Sequence, residues 1–415
     1  MSTIDALLEE LSPSGVRYLP LSEAASYVRG VTYSKGDEET NGPVRILRSN
    51  NITLSSNTLN FDEVRTVSAT VRVRFDQHLR ENDILISAAS GSKAHVGKVA
   101  FVSKDLGYVF GGFMAVLRVS DQLESRFLFH LLVGGTFADY LDGALTSTTI
   151  NNLNSSIMGA FRIPVPPLEV QREIVRILDN FTELEAELEA ELEARRTQRI
   201  ALTTNFAVSL RDRPGQGGQY NLVTLGSIAQ EVVEPMKVQT GKSYVSLGVK
   251  WNGEGVLVRE ARFGDSIKAT TLFRARTGQL MYNRMFVVEG SFALLPAGIE
   301  DAVVSSEFPL FKLDASRVEP EWLLQFLCNP HTLERIAGEV TGTERGSMKS
   351  RRRWKADQFR EFKISLPTLE EQRKTIRALR SSDALISSLT DELAARRKQK
   401  TYYRDLLLTF EEAPA

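Results

Sequence analysis

The chain has 415 residues and a formal net charge of −1, from 51 Lys and Arg against 52 Asp and Glu. This length predicts at least two domains, each able to bury its own core. The single cysteine, Cys328, excludes an intramolecular disulfide framework and a cysteine-based zinc site. No apolar stretch reaches membrane-spanning length and no leader is recognisable, so we expect a cytoplasmic protein without membrane contact.

Residues 1–167 are predicted to form a first globular domain of mixed helices and strands. Four short runs rich in β-branched residues and bounded by turn residues predict strands. They are 71–75, 83–87, 99–102 and 114–119. Residues 125–140 carry apolar side chains at helical spacing and predict a helix that covers one face of the sheet.

Basic and amide side chains in this domain form three candidate DNA-contact segments. Lys and Arg can bind phosphates, and Asn can pair with adenine edges. The candidates are Arg45, Arg48 and Asn50, then Lys93 and Lys98, and finally Ser147, Thr148 and Asn151 in the neutral loop 147–154. Each segment also has the composition of an ordinary surface turn, which is the plainer interpretation.

Residues 168–210 are predicted to form a long helix, followed by a Gly-rich linker at 211–219 that breaks helix and strand. The acidic run 183–193 alternates apolar and polar residues, but Ala, Glu and Leu are strong helix formers and poor strand formers. Its leucines then stack four residues apart on one helical face. These are Leu184, Leu188 and Leu192. The glutamates are expected to face solvent or a partner.

Residues 220–366 are predicted to form a second globular domain that repeats the order of the first more loosely. The segments 279–283, 308–313 and 321–327 correspond to two strands and the helix of the first domain. Residues 367–411 predict a second long helix with a heptad-like apolar stripe.

The second domain carries a stronger basic signal than the first. The loop 346–355 joins a small-residue turn to a cluster of cations and to Trp354, a composition suited to phosphate and guanine contacts. The candidates in this domain are Lys268, Arg284, Arg345, Ser347, Lys349, Arg351, Arg352, Arg353 and Lys355. The plain alternative is a solvated basic turn with Trp354 in the core.

The sequence supports no active site. The stretch 91–98 resembles a phosphate loop, but its glycine spacing is one residue too long and Val99 replaces the metal-binding Ser or Thr. The four histidines are scattered without the pair spacing of a metal site. No amino-methyltransferase motif and no Ser/His/Asp or Cys/His arrangement is found, so we expect a chain without catalysis, cofactor or metal.

The two long helices and the residues before them form an internal repeat. The segment Phe161-Arg162-Ile163-Pro164-Val165-Pro166-Pro167-Leu168-Glu169-Val170-Gln171-Arg172 returns as Phe362-Lys363-Ile364-Ser365-Leu366-Pro367-Thr368-Leu369-Glu370-Glu371-Gln372-Arg373. Without a gap, about 17 of 39 positions are identical. The fold class is therefore predicted as α+β: two mixed α/β domains and two long helices packed as an antiparallel coiled coil, with pseudo-twofold symmetry.

This doubled Pro-x-Leu-Glu-x-Gln pattern, each time leading into a long helix, resembles the specificity subunit of Type I restriction–modification systems. The resemblance implies that the domains are target recognition domains, each contacting one half of a bipartite site on double-stranded DNA. The helices would fix the spacing and bind two methyltransferase subunits, which restriction subunits can join. S-adenosylmethionine, ATP and Mg²⁺ would be bound by those partner subunits.

Three alternatives stay open from the sequence. The chain could serve a methylation-only system or a fused nuclease–methyltransferase. It could instead be a coiled-coil scaffold with two protein-binding heads, although the basic run 345–355 disfavours this. The third alternative is a stand-alone nuclease with an unrecognised site.

Overall fold

The computed structural model describes residues 3–90, 95–145, 152–211, 221–299, 301–340 and 353–414, with the backbone alone for 204–211. The chain folds into two compact units. Unit 1 comprises residues 1–189 and 391–415, and unit 2 comprises residues 190–390. Head 1 denotes the part of unit 1 before residue 168, and head 2 denotes residues 221–366 of unit 2.

Head 1 consists of short strands and helices. The strands are β1 (Arg17–Pro20), β2 (Ala25–Arg29), β3 (Val44–Leu47), β4 (Ile52–Thr53), β5 (Thr58–Leu59), β6 (Arg65–Val67), β7 (Ile84–Ser87), β8 (Val99–Phe101), β9 (Val109–Phe110), β10 (Met114–Val119) and β11 (Arg162–Val165). The helices are α1 (Thr3–Leu11), α2 (Leu21–Ala24), α3 (Ser125–Val133), α4 (Gly135–Leu145) and α5 (Ser155–Ala160). The long helix α6 (Leu168–Arg211) follows, and its residues up to 189 belong to unit 1.

The central sheet of head 1 has the strand order β2-β10-β7-β8, and its strands are antiparallel. Side chains of β7 alternate between two cores, as the two-residue period of a strand requires. Ile84 and Ile86 are buried with Phe127 of α3, whereas Leu85 is buried in a second cluster with Phe110. One face of the sheet is therefore covered by helices and the other by the segment that contains the sheet β6-β3-β9.

Two elements of head 1 differ from the sequence prediction. The strand predicted at 71–75 is absent, because Val71 and Val73 pack on a small apolar cluster without pairing to a neighbouring strand. The Arg74 N–H then donates to the Gln77 side chain (3.0 Å) and starts a 3-10 turn. The helix predicted at 125–140 is interrupted at Gly134, which separates α3 from α4.

Head 2 contains a similar set of elements. The strands are β12 (Asn221–Thr224), β13 (Ala229–Val232), β14 (Pro235–Lys237), β15 (Ser243–Tyr244), β16 (Leu247–Val249), β17 (Val256–Val258), β18 (Arg262–Phe263), β19 (Thr271–Arg274), β20 (Leu280–Tyr282), β21 (Phe292–Leu294), β22 (Val303–Val304), β23 (Leu310–Leu313) and β24 (Lys363–Leu366). The helices are α7 (Pro320–Leu327), α8 (Pro330–Glu339) and α9 (Ala356–Glu361), followed by the long helix α10 (Leu369–Leu407).

The two heads share one framework. The central sheet of head 2 has the order β13-β23-β20-β21, so β20 and β23 take the places of β7 and β10. The short pair β12–β24 corresponds to β1–β11, and α7 follows the sheet as α3 does. The heads differ in their second layer, which in head 2 consists of the small sheets β14-β19-β22, β15-β18 and β16-β17.

The repeated glutamine of the Pro-x-Leu-Glu-x-Gln motif joins each head to its helix. Gln171 is fully buried, and its side-chain oxygen accepts a hydrogen bond from the backbone N–H of Glu124 at the start of α3 (2.7 Å). Its amide nitrogen donates to the carbonyls of Pro166 (2.7 Å) and Gln122 (3.0 Å). One buried side chain thus satisfies three backbone groups from two segments.

Gln372 makes the same three bonds in unit 2. Its oxygen accepts from the N–H of Glu319 (2.7 Å), and its nitrogen donates to the carbonyls of Pro367 (2.8 Å) and Arg317 (3.0 Å). The sequence motif is therefore repeated because the two head–helix joints are built alike, and not only because both segments start a helix.

Eight residues beyond each glutamine, the joints differ in charge. Asp179 of α6 accepts from Arg126 of α3 (Nε, 3.1 Å) and contacts His130 Nε2 (2.9 Å). At the equivalent place in unit 2, Arg380 of α10 donates to Glu321 of α7 (Nε, 2.9 Å). The same ion pair is present in both units with the charges reversed.

The end of the chain completes unit 1. Phe181 of α6 stacks on Tyr403 of α10, with ring centroids 5.5 Å apart. Glu185 binds Lys400 (2.9 Å) and Glu189 binds Arg397, so the two helical segments run antiparallel. These carboxylates of the acidic run contact α10, in contrast to the solvated or partner-facing position predicted for the run.

The residues after α10 also belong to unit 1. Val16 forms a parallel bridge with Glu412, and the Tyr18 hydroxyl donates to the carbonyl of Phe410 (3.2 Å). Phe410 packs on the main apolar core of head 1. Within unit 1, residues from both ends of the sequence therefore share one core.

The predicted fold class, with two mixed α/β heads and long paired helices, is confirmed. The linear domain boundaries stay a prediction. In the part of the chain that the structure describes, none of the helices combines the length and the apolar character needed to cross a bilayer.

Candidate nucleic-acid interface

Head 1 contains an open cleft of about 1010 Å³ between its central sheet and its second layer. Its walls come from five parts of the sequence that the fold brings together. These are 31–38, 48–50, Arg65, 89–90, and the turn 111–114 that joins β9 to β10.

Cations outnumber acids in this cleft, which we name the head 1 cleft. Lys35, Arg48 and Arg65 line it together with one carboxylate, Glu38, which lies 3.5 Å from Arg65. The Nε atom of Arg48 is buried and has no hydrogen-bond partner among the described residues.

Aromatic rings complete the head 1 cleft. Burial raises the pKa of Tyr33, although the neighbouring Arg48 opposes the shift. Phe113 is 74% exposed and lines the same cleft. Aromatic rings beside cations are the combination that nucleic-acid sites use for base contact and phosphate contact.

Arg29 fixes the wall of the cleft that carries Phe113. It donates to the carbonyl of Gly112 (2.9 Å) and, from its other terminal nitrogen, to Asn152 Oδ1 and the Leu153 carbonyl (both 3.2 Å). A side chain on Gly30 could not be accommodated, because its Cβ would lie 2.2 Å from the carbonyl oxygen of Gly111. The turn is therefore held on both sides by close contacts.

The ends of two candidate loops lie beside this cleft. Ser90 lines the cleft and precedes residues 91–94. Asn152 follows residues 146–151 and forms a bridge with Ala89. The Leu153 N–H donates to the Ala88 carbonyl (2.7 Å), which anchors the second loop to the end of β7.

Head 2 anchors its basic loop at the equivalent position. The Trp354 N–H donates to the carbonyl of Arg284 (3.1 Å). Arg284 is the residue that corresponds to Ala88 of head 1. Trp354 is fully buried, with Tyr282 as an aromatic neighbour at 5.5 Å. Trp354 is therefore attached to the framework of head 2 at the point where Leu153 is attached in head 1.

The described cations of the head 2 loop are partly engaged. Arg353 Nε lies 3.1 Å from Glu307 Oε2, and the Arg284 N–H donates to the Glu307 carbonyl (3.0 Å). The Nε atom of Arg284 is buried without a partner among the residues described. Lys355 is exposed at the start of α9.

The comparisons with known proteins agree with this architecture. Residues 13–194 match the family model of the Type I restriction modification DNA specificity domain. The specificity subunit of the Type I restriction enzyme EcoKI of Escherichia coli K12 is 30% identical over 172 residues, 40% of this chain and 36% of that protein. The chain thus spans about a third of the length of this relative.

Two further matches cover most of the chain. A putative type I restriction enzyme specificity subunit of Haemophilus influenzae is 26% identical over 339 residues, 76% of this chain and 82% of that protein. The crystal structure of the HsdS subunit of Thermoanaerobacter tengcongensis has a TM-score of 0.57 at 17% identity, covering 97% of this chain and 99% of that chain, which establishes a common fold. The chain is therefore similar to Type I restriction–modification specificity subunits, in sequence over residues 13–194 and in fold over nearly its whole length.

The fold of the chain unites only some of the predicted DNA-contact residues. Arg48 and Asn50 line the head 1 cleft. Arg45 lies outside its lining, with its guanidinium 4.4 Å from the ring centroid of Tyr108. Lys98 is half-buried at the start of β8, where its carbonyl accepts from Ser87 (2.8 Å).

In head 2, Arg284 and Arg353 share one neighbour, Glu307, whereas Lys268 is exposed in the turn between β18 and β19. The remaining candidates lie outside the described residues. They are Lys93, Ser147, Thr148, Asn151, Arg345, Ser347, Lys349, Arg351 and Arg352. Contact of any candidate with DNA stays a prediction.

Tyr33 and Phe113 were missed by the sequence analysis. The pair Gly111-Gly112 before Phe113 was the available signal, because two glycines permit a tight turn that presents the next side chain.

In the part that the structure describes, no group of three or more His, Cys, Asp or Glu side chains could hold a metal ion.

Proposed function

We propose that this chain is the DNA-sequence-specificity subunit of a Type I restriction–modification complex. Each head contacts one half of a bipartite, asymmetric site on double-stranded DNA. The long helices set the distance between the half-sites and bind two methyltransferase subunits. The chain itself performs no chemistry, and S-adenosylmethionine, ATP and Mg²⁺ are bound by the partner subunits.

The observation that carries this proposal is one framework presenting two different sets of side chains. Both heads have the same central sheet, the same anchored loop after it and the same glutamine joint. At equivalent loop ends, head 1 presents Asn152 and head 2 presents Arg353. Amide and guanidinium groups select different bases, so unlike half-sites are expected.

The charge of the head 1 cleft supports DNA as its ligand. Lys35, Arg48 and Arg65 outnumber Glu38, so the cleft lining carries a net positive charge that phosphates would neutralise. The release of counterions from the DNA would then contribute to the affinity. Arg48 lines the cleft, and a guanidinium group can bind a phosphate or a guanine edge.

The helices expose apolar side chains suited to a protein partner. Tyr402 and Leu406 of α10 are 64% and 54% exposed, and Ile200 of α6 is 66% exposed. Aromatic and aliphatic side chains of this kind are typical anchors of protein interfaces. This exposure supports the assignment of the helices to the methyltransferase subunits.

Sequencing of methylated bases in the host, with and without the gene, tests the function. Loss of methylation at one bipartite adenine motif on deletion is the expected result, and it identifies both half-sites. An unchanged methylome in a host that expresses the partner subunits would contradict the proposal. It would favour the scaffold interpretation.

Arg48 tests the head 1 cleft within the purified methyltransferase complex. We expect Arg48→Ala to weaken binding to the cognate site about ten-fold and to reduce the salt slope by about one. Arg48→Lys should retain most of the salt slope but lose discrimination at one base pair, because an ammonium cannot form the bidentate contact. Arg74→Ala is the matched comparison, because Arg74 is an exposed arginine of head 1 outside the cleft lining. An Arg48→Ala variant that binds DNA as well as Arg74→Ala would remove the cleft from the interface.

A further inference from the structure

Phe113 is an exposed aromatic residue whose backbone is held in place by hydrogen bonds. Its carbonyl accepts hydrogen bonds from the N–H groups of Ala88 (2.9 Å) and Ala89 (3.0 Å). The Met114 N–H donates to the Gly111 carbonyl (2.7 Å), and Arg29 holds the Gly112 carbonyl. Only the two side-chain torsions remain to be ordered, so binding through this ring has a small entropic cost.

Exposure alone does not distinguish Phe113, since single apolar residues are common on protein surfaces. Its position does. The ring stands at the head 1 cleft, with the unpartnered guanidinium nitrogen of Arg48 and the half-buried ring of Tyr33 in the same walls. The ends of the loops 91–94 and 146–151 lie next to it.

We infer that Phe113 is an aromatic wedge that stacks on a base of the head 1 half-site and partly unstacks one base step. The cations of the cleft bind the phosphates on either side of that step. Apolar wedges unstack and kink DNA in this way because the cost of unstacking is offset by the protein surface gained. The inference rests on the proposed function, because it names how head 1 contacts DNA.

Head 2 has no wedge at this position. Glu307 is the equivalent of Phe113, because its carbonyl accepts from Arg284 as that of Phe113 accepts from Ala88. Its carboxylate binds Arg353 and would repel phosphates if released. The distortion is therefore restricted to one half-site, and the specificity subunit bends its DNA asymmetrically.

The test uses the full complex with its methyltransferase subunits and duplexes of the motif found by methylation sequencing. The probe is 2-aminopurine, whose fluorescence rises when the base is unstacked. It is placed in turn at each step of both half-sites except at and beside the target adenines, which the methyltransferase subunits flip out of the duplex. We expect a rise at one step, in the half-site of head 1, with the wild-type chain. Phe113→Ala should abolish the rise and weaken binding about five- to fifty-fold, whereas Phe113→Trp should retain both.

Phe75 provides the matched control. It is 83% exposed in head 1 but does not line the cleft, and its ring contacts Arg80 (4.6 Å). Phe75→Ala should leave the fluorescence pattern and the affinity unchanged. Thermal unfolding of each variant verifies that the exposed substitution leaves the fold intact.

The outcomes separate the wedge from the function on which it rests. If Phe113→Ala binds and distorts DNA like the wild type while Arg48→Ala loses affinity, the wedge is wrong and the DNA role stands. If the fluorescence rise lies in the half-site of head 2, the wedge is also wrong. If the wild-type complex binds no DNA sequence preferentially, the proposed function fails and the wedge fails with it.

Discussion

Gln171 and Gln372 show how one side chain can explain a repeated motif. Each fully buried side chain forms three hydrogen bonds with backbone groups. Both the oxygen and the nitrogen of its amide are therefore required. A leucine of similar size would remove the partner of one N–H and two carbonyls, of which the proline carbonyl bond is buried in each unit. The penalty for each such group is about 1–3 kcal/mol.

We predict that Gln171→Leu and Gln372→Leu each destabilise their own unit by about 2–5 kcal/mol. Chemical denaturation, followed by a probe within each unit, measures the loss. The exposed neighbour Arg172 provides the control, and Arg172→Ala should change the unfolding free energy little. Equal effects of Gln171→Leu and Arg172→Ala would refute the joint as described.

Two neighbouring groups, His130 and Asp179, make unit 1 sensitive to pH. Burial lowers the pKa of His130 below 6.5 despite its contact with Asp179. Burial alone would raise the pKa of Asp179, but hydrogen bonds from His130 and Arg126 outweigh it and hold that pKa below 3.8. Both shifts make the unfolded chain bind protons more readily than the folded one as the pH falls.

We therefore expect unit 1 to lose stability as the pH falls from about 6.5, first through His130 and then, below about pH 4, through Asp179. Unfolding midpoints measured across this range test the prediction. His130→Gln should remove the upper part of the pH dependence and leave the lower part. A midpoint of unit 1 that stays constant between pH 7 and pH 5 would contradict it.

At the scale of elements, the head–helix joints combine identical backbone bonds with opposite charges. Arg126 binds Asp179 in unit 1, and Glu321 binds Arg380 in unit 2. Side chains of the first pair are 24% and 30% exposed, against 43% and 65% in the second. Solvent screening weakens the second pair more than the first.

Glu321→Arg should lower the denaturation midpoint of unit 2, because two cations then face each other. The double variant Glu321→Arg with Arg380→Glu should restore it, because it reproduces the polarity of unit 1. Arg126→Glu should lower the denaturation midpoint of unit 1 by more than Glu321→Arg lowers that of unit 2. The site of Arg126 is less exposed, and the substitution places a second carboxylate near Asp179. A double variant no more stable than the single one would disprove a direct interaction.

The sequence predicted elements well where the signal is local. The long helices follow from helix propensity, and β20, β23 and α7 follow from their order along the chain. The 71–75 segment failed because alternating valines do not reveal whether a partner strand exists. The head 1 cleft was missed because its walls come from segments up to 83 positions apart in the sequence, between Val31 and Met114.

At the scale of the whole molecule, unit 1 depends on residues from the far end of the chain. Phe410 enters its core, and Glu412 pairs with Val16 and binds Arg162 (2.6 Å). Unit 2 lies between these segments in the sequence. Unit 1 is therefore completed only after residues of unit 2 have been synthesised.

Removal of residues 409–415 should destabilise unit 1 by about 2–4 kcal/mol, through lost burial of Phe410 and two lost backbone bonds. Calorimetry should show the transition of unit 1 at a lower temperature and that of unit 2 unchanged. Phe410→Ala should reproduce part of the shift. An equal shift of both transitions would contradict the assignment of this segment to unit 1.

The reversed ion pairs also limit where recombination can exchange the two heads within the gene for this chain. A recombination event between the two repeats that exchanged heads at the Pro-x-Leu-Glu-x-Gln codons would preserve the glutamine bonds, yet it would place Arg126 opposite Arg380 and Glu321 opposite Asp179. A crossover downstream of the codons for Asp179 and Arg380 avoids both repulsions. Viable head exchange within one gene should therefore leave its breakpoints inside the long helices, beyond these two residues.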